Sequence, residues 1–372
     1  MKKDTTNKTP GLYVHVPFCK SKCPYCDFYS VTSLSLIPDW FSGIKKEVLL
    51  YKNRFACFDS LYFGGGTPTV ISEPDLVHLV EYLFTHFSFS PDAEISIEAN
   101  PDDITKEKLT LLRTIGINRI SLGVQSFNNQ DLRYLNRRHT VFQTERALEM
   151  IRSEGFTNLG IDLMYGIKGQ SETEWTTILK QALDYKPEHI SCYQLTIKKG
   201  TEFKQKKIKP LNEEKARLLF IFTSSLLEEA GYLHYEVSNY AREEKYICRH
   251  NYKYWDHIPY LGLGPAAHSF FSNQRWWNVK SIKKYCELLQ KNTPPLAGKE
   301  LLTEEQLRLE YLCLGLRTQA GIDSHFLSNR STLKNILQEL TEAKLVRIKG
   351  RRIMLTREGF LFADSIPLLL SE

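Results

Sequence analysis

Short apolar runs alternate with longer amphipathic stretches from residue 11 to about 200. The runs 12–18, 60–64, 94–98, 119–124, 159–164 and 189–196 are rich in apolar and β-branched residues. That pattern belongs to strands buried on both faces of a parallel sheet. Between them, 39–54, 73–86, 106–115, 141–154 and 172–183 carry helical periodicity. Ser72-Glu73-Pro74, and Thr105 before Lys106, supply helix-start chemistry, in which a side-chain oxygen accepts from the first free N–H groups. Six β/α units in succession predict an α/β fold with a parallel sheet and outer helices. Polar residues close many of the strands. They favour a curved, incomplete (β/α)6 TIM-like barrel over an open doubly wound sheet, because in a barrel such residues line one mouth.

Beyond residue 200 the pattern changes. Residues 212–230 read as one long helix and 232–290 as an aromatic-rich, irregular connection. Thr293-Pro294-Pro295 reads as a linker. After it, 304–316 and 333–343 are helical, 345–355 reads as a hairpin turning at Lys349-Gly350, and a closing helix follows. That order predicts a small winged-helix-like module. The chain thus divides into a partial barrel (1–235), a connecting segment (236–295) and a C-terminal module (296–372).

Composition narrows the class. With 42% hydrophobic and 25% charged residues, the 372-residue chain is an ordinary globular protein. A net charge of +6 is mild, and its basic clusters at 198–209 and 344–357 read as solvated faces, so no nucleic-acid partner is expected. The weaker contrary reading is DNA binding by Lys349-Gly350-Arg351-Arg352 at the wing tip. The N-terminal stretch 1–10 is polar, and no apolar run approaches the roughly 20 residues of a membrane span. A cytoplasmic location follows as the expectation. In that reducing setting the eight cysteines do not suggest disulfides. Cys57, Cys192, Cys248, Cys286 and Cys313 are scattered and read as small buried hydrophobes.

The other three lie in Tyr13-Val14-His15-Val16-Pro17-Phe18-Cys19-Lys20-Ser21-Lys22-Cys23-Pro24-Tyr25-Cys26-Asp27-Phe28, spaced C-x3-C-x2-C directly after the first strand. A loop this tight wraps three thiolates around one corner of a 4Fe–4S cubane. Three protein ligands leave one iron open to chelate the amino and carboxylate groups of S-adenosylmethionine (SAM). An electron from the cluster then cleaves a carbon–sulfur bond to give a 5′-deoxyadenosyl radical. A structural zinc site needs four ligands, usually as two separated pairs, and no second C-x2-C exists; His15 falls mid-strand. Zinc, or a chance grouping of buried cysteines, explains the spacing less well.

The second strand runs into Gly64-Gly65-Gly66-Thr67-Pro68, where consecutive glycines let backbone approach a ligand. Glu98 and Asn100 close the third strand, Gln125 and Ser126 the fourth, and Gln194 and Thr196 the sixth. Asp162 lies within the fifth, and Arg137 follows the fourth. Such carboxylates suit ribose hydroxyls, and an arginine suits the SAM carboxylate.

The segments 13–28 and 64–68, with Gly123-Val124-Gln125-Ser126-Phe127 and Asp162-Leu163-Met164-Tyr165-Gly166, resemble the radical SAM proteins of the oxygen-independent coproporphyrinogen III oxidase group, over nearly the whole chain. Within it, the sequence is more similar to the HemW-type haem chaperones than to the oxidase. The oxidase carries a further cysteine, as C-x3-C-x2-C-x-C, where Phe28 stands here. It also has a sizeable segment before its cluster loop, where eighteen residues precede Cys19 here. The H-N-x-x-Y-W motif tied to haem in HemW-type proteins is intact as His250-Asn251-Tyr252-Lys253-Tyr254-Trp255.

The resemblance implies that Tyr13, Tyr25, Gly65 and Glu98 contact cluster-bound SAM. It implies that Gly66, Thr67, Gln125, Arg137, Asp162 and Thr196 match contacts to a second SAM in the oxidase. One departure is Lys168, where relatives usually have proline. The resemblance further implies haem held by His250, Asn251, Tyr254 and Trp255, with His268 a second candidate axial ligand. On residue chemistry alone, an imidazole beside Tyr254 and Trp255 reads first as a packed aromatic segment, since lone histidines beside aromatics are usually structural. Two functions stay open: a chaperone delivering haem to haem-accepting proteins, with peripheral membrane association and a flavodoxin or ferredoxin as electron donor; or an oxidoreductase acting on coproporphyrinogen III.

Overall fold

The computed structural model describes residues 8–327 and 331–371; residues 1–7 of the polar N-terminal stretch lie outside these. Six strands, β1 (Gly11–Val16), β2 (Phe58–Gly65), β3 (Phe89–Ala99), β4 (Arg119–Gln125), β5 (Leu159–Tyr165) and β6 (His189–Gln194), pair in parallel and in chain order. Helices Ile37–Tyr51, Glu73–His86, Lys106–Thr114, Val141–Ser153 and Glu172–Asp184 cross over between them. The strands match the apolar runs because both faces are covered: Leu12, Val14, Leu61, Phe63, Ile97, Ile120, Leu122 and Ile161 are buried, several of them beneath the helices. The expected helix starts form. Ser72 accepts from the Asp75 N–H and Thr105 from the Lys108 N–H.

The sheet does not close. β7 (Leu233–Glu236) and β8 (Asn239–Ala241) extend it antiparallel beyond β6. On the other side β9 (Tyr260–Leu263) pairs parallel to β1, followed by β10 (His268–Phe271), β11 (Gln274–Asn278) and β12 (Leu296–Leu301) in antiparallel order. The result is one twelve-stranded curved sheet with β12 and β7 at its edges, an incomplete barrel.

The stretch 232–290 is therefore regular, which corrects the sequence expectation of an irregular connection. Its strands are only three to five residues long and draw their order from the barrel edge, so local periodicity does not announce them. The buried Glu47 on the first crossover helix fastens those on the β1 side. It accepts from the Gly264 N–H at 2.8 Å, Asn278 Nδ2 at 2.6 Å and the Tyr285 hydroxyl at 2.6 Å. Thr293-Pro294-Pro295 leads straight into β12, whose Lys299 pairs with Trp276 of β11. A boundary at residue 296 would cut β12 from its partner.

A second core begins with helix Glu304–Gly315. With helix Ser331–Glu342 and the sheet β13 (Ile322–Asp323), β14 (Val346–Lys349) and β15 (Arg352–Leu355), it has the helix–strand–helix–hairpin order of a winged helix. Leu312, Leu316, Ile322, Val346, Ile353 and Leu355 fill this core, which leans on Phe220 of helix Glu213–Glu229.

Candidate active site

β1 delivers the cysteine loop to the mouth of the barrel. The loop is closed by main chain, with the Cys19 N–H donating to Val31 O (3.0 Å) and the Val31 N–H to Pro17 O (2.7 Å). Cys19, Cys23 and Cys26 line one cavity of about 660 Å³ at the C-terminal strand ends. Every other SAM-contact candidate lines it too: Tyr13, Tyr25, Gly65, Gly66, Thr67, Glu98, Gln125, Arg137, Asp162 and Thr196.

The glycine run has a steric cause. A Cβ on Gly66 would meet Phe18 O at 2.6 Å and Val16 O at 2.8 Å, because the Gly66 and Thr67 N–H groups donate to Val16 O and Phe18 O of the cluster-loop stem. Gly65 has φ +109°, and a Cβ there would fall 2.4 Å from the His15 ring. Its N–H donates to Glu98 Oε2 at 3.0 Å, while the Tyr62 hydroxyl donates to Oε1 at 2.9 Å. Burial raises the Glu98 carboxyl to about 7, against the opposing pull of the Tyr62 hydrogen bond. Asp162 accepts from Ser121 Oγ (3.1 and 3.3 Å), and burial also raises its carboxyl. Gln125 takes φ +66°, uncommon for a non-glycine residue, where β4 turns into the mouth.

Arg137 reaches across the site. Nη1 lies 3.6 Å from Cys23 Sγ, while Nη2 donates to Gly123 O at 2.9 Å and to Asn100 Oδ1. Thr67 Oγ1 donates to Cys19 Sγ at 3.6 Å. Burial raises both the Cys19 and Cys26 thiols, Cys26 to about 11. Bound iron would have to displace those protons. Among the described residues no three Cys, His, Asp or Glu side chains converge as ligands of a single metal ion would. The three thiols line one cavity, and a cluster takes each of its cysteines on a separate iron. An all-sulfur donor set of three, with Arg137 beside one sulfur, fits a 4Fe–4S group. Phe28 is 64% exposed at the rim.

Residues that sequence reasoning did not assign to the site also line it, including Tyr62, Ser121 and Tyr193, and so does Asn100, which was read as a polar strand end. Asn100 joins two assigned residues, accepting from Arg137 and donating to Thr67 Oγ1 at 3.1 Å. The signal for Tyr62 was inward alternation on β2, paired with Tyr13.

The H-N-x-x-Y-W segment is helix Arg249–Trp255, packed beneath β1 and β2. Asn251 and Tyr254 form part of the cavity wall. His250 lies behind them, fully buried, its ring stacked near Tyr62 and Tyr13 (centroids 5.2 and 6.1 Å). Trp255 faces away, with the Arg317 guanidinium 5.1 Å above its ring. His268 sits on β10, outside the cavity, stacked on Trp277. Of the scattered cysteines, Cys192, Cys248 and Cys286 are buried and Cys57 and Cys313 partly so.

The radical SAM superfamily model matches residues 13–182. The chain is 33% identical to the haem chaperone HemW of Mycobacterium tuberculosis over 368 residues, covering 96% of this chain and 93% of that protein. It is 32% identical to HemW of Bacillus subtilis, covering 96% and 97%. Among solved structures, the radical SAM coproporphyrinogen III oxidase HemN from Escherichia coli superposes with a TM-score of 0.85 at 25% identity, covering 98% of this chain and 90% of that one.

Proposed function

The chain belongs to the HemW family of haem chaperones within the radical SAM superfamily, and on that footing we propose that it carries haem to haem-accepting proteins from a site adjoining a SAM- and cluster-binding cavity. One observation carries the reading: Asn251 and Tyr254 of the H-N-x-x-Y-W helix wall the same cavity as the three clustered thiols. Cys19, Cys23 and Cys26 would hold the 4Fe–4S cluster. When bound, cluster and SAM supply one-electron reductive chemistry. Arg137 places a cation beside Cys23, Tyr13 and Glu98 line the same cavity, and the Tyr25 ring of the cluster loop packs near Phe203.

Haem ligation by His250 would require helix Arg249–Trp255 to shift, because both ring nitrogens are engaged. A flavodoxin- or ferredoxin-type donor and peripheral membrane association complete the proposal. Among the described residues no helix is long and apolar enough to cross a membrane. The test is anaerobic reconstitution with iron and sulfide, then haem titration of wild type and His250→Ala. Stoichiometric haem uptake lost in the variant supports the proposal, and absence of haem uptake by wild type overturns it.

The likeness to HemN favours a second reading, oxidative decarboxylation of coproporphyrinogen III. Phe28, where the resemblance leads one to expect a fourth cysteine, weighs against it. Turnover of coproporphyrinogen III by the reconstituted protein would replace the chaperone reading.

A further inference from the structure

A second cavity, of about 400 Å³, opens beside the first, and Leu195 lines both. Ile167, Leu195, Ile197 and Ile208 give it an apolar floor, and Lys168, Lys207 and Lys209 stand around it. No Asp or Glu lines it among the described residues, and none is paired there with these three ammonium groups. The Tyr134 side chain also lines the cavity, and its buried hydroxyl has no hydrogen-bond partner.

The chemistry of the lining selects an occupant. A purely apolar ligand would make no use of the three exposed ammonium groups at the rim. A small inorganic anion would leave the floor uncovered. A ligand with an apolar body and more than one carboxylate on one edge satisfies both, which is the chemistry of a porphyrin's propionate edge. We propose that this cavity docks that edge of haem, its apolar margin on the isoleucines and its carboxylates on Lys168, Lys207 and Lys209. This rests on the haem-carrying reading above and adds a place and a charge requirement to it. The position also connects the two sites. The Tyr134 ring lies 5.2 Å from that of Phe203, Phe203 lies 6.4 Å from Tyr25 of the cysteine loop, and the Phe203 N–H donates to Pro24 O at 2.9 Å.

The test titrates haemin and haemin dimethyl ester into the cluster-loaded full chain under anaerobic conditions, comparing wild type, K168Q/K207Q/K209Q and the corresponding triple arginine variant. Loss of the exposed ammonium partners of the carboxylates predicts haemin binding weakened roughly tenfold in the glutamine variant. The ester should bind both proteins within about twofold, and arginine should restore haemin affinity. Equal haemin affinity in wild type and glutamine variant, or equal weakening of haemin and ester, overturns the proposal. If His250→Ala abolishes haemin binding and the lysine variant does not alter it, the carrier reading stands and this inference alone falls. If wild type takes up neither ligand, both fall.

Discussion

Nε2 of His250 lies 2.9 Å from the hydroxyl of Tyr254, one helical turn on, while Nδ1 of the same ring lies 3.1 Å from Ser60 Oγ on β2. The ring is fully buried, and burial, aided by the Lys253 ammonium, lowers its pKa to about 3, so it is held neutral with one nitrogen donating and the other accepting. In the described state the histidine of the haem motif is a structural link between the motif helix and the barrel.

That link predicts a cost independent of haem. His250→Ala strands two buried hydroxyls and should lower the unfolding free energy of haem-free protein by about 1–3 kcal/mol. Tyr254→Phe frees Nε2 yet keeps the ring, so haem uptake should persist in it at about wild-type affinity or better. Anaerobic urea unfolding and haem titration of both variants check this. A His250→Ala protein as stable as wild type would show that the two hydrogen bonds contribute nothing.

Replacing Cys19, Cys23 or Cys26 by serine should abolish retained iron and sulfide after reconstitution and desalting, whereas Cys57→Ser and Cys313→Ser should leave both at wild-type levels. Arg137→Gln removes the cation beside Cys23 and its bonds to Asn100 and Gly123 O. Charge-assisted bonds contribute about 1.5–3 kcal/mol, so SAM affinity should fall by roughly ten- to a hundredfold. Equilibrium dialysis with labelled SAM measures it, and an unchanged affinity would remove Arg137 from the binding set.

Glu47 predicts a pH dependence. Burial raises its carboxyl from 4.5 to about 7 in the folded chain, despite hydrogen bonds from Tyr285, Gly264 and Asn278 that pull it down. The folded state therefore binds this proton more tightly than the unfolded state. Its stabilising contribution is fully present below pH 4.5 and is lost as pH rises through about 7. Over that window the wild-type protein should lose about 3 kcal/mol relative to Glu47→Gln, a variant that cannot ionise. Parallel stability curves for the two cluster-free proteins between pH 4.5 and 7.5 would contradict the assignment.

Glu310 ties the C-terminal module to the barrel. It accepts from His257 Nε2 at 2.8 Å and Arg275 Nη2 at 2.7 Å. Burial pulls its carboxyl upward, but these two partners outweigh that and hold it near about 2. Its contribution is present above pH 4.5 and lost as pH falls toward about 2. The group is partly exposed, so Glu310→Gln should cost only about 1 kcal/mol after screening. Faster amide exchange in helix Glu304–Gly315, with barrel strands unchanged, is the expected result. Uniform exchange rates would show that the module docks without this pair.

The six parallel strands, their crossover helices and the cysteine loop could be read from the chain, because each is encoded locally. Strands buried on both faces announce themselves as continuous apolar runs, and C-x3-C-x2-C constrains three thiols to one loop whatever surrounds it. The glycines of 64–66 were recognisable as a close approach, although only the structure shows that they make room for the main chain of residues 16–18. Strands β7 to β12 escaped detection. They are short, and their order comes from the two edges of the existing sheet and, around β9 to β11, from Glu47, more than 200 residues away from its partners in sequence. The sequence could also place His250 and Tyr254 four residues apart on a helix, but not say which way they face. Burial against Tyr62 and Ser60 decided that, turning the histidine inward and leaving Asn251 and Tyr254 to meet the cavity. Local covalent spacing fixes which groups travel together. Their exposure, partners and protonation are set by surfaces that meet only when distant segments pack.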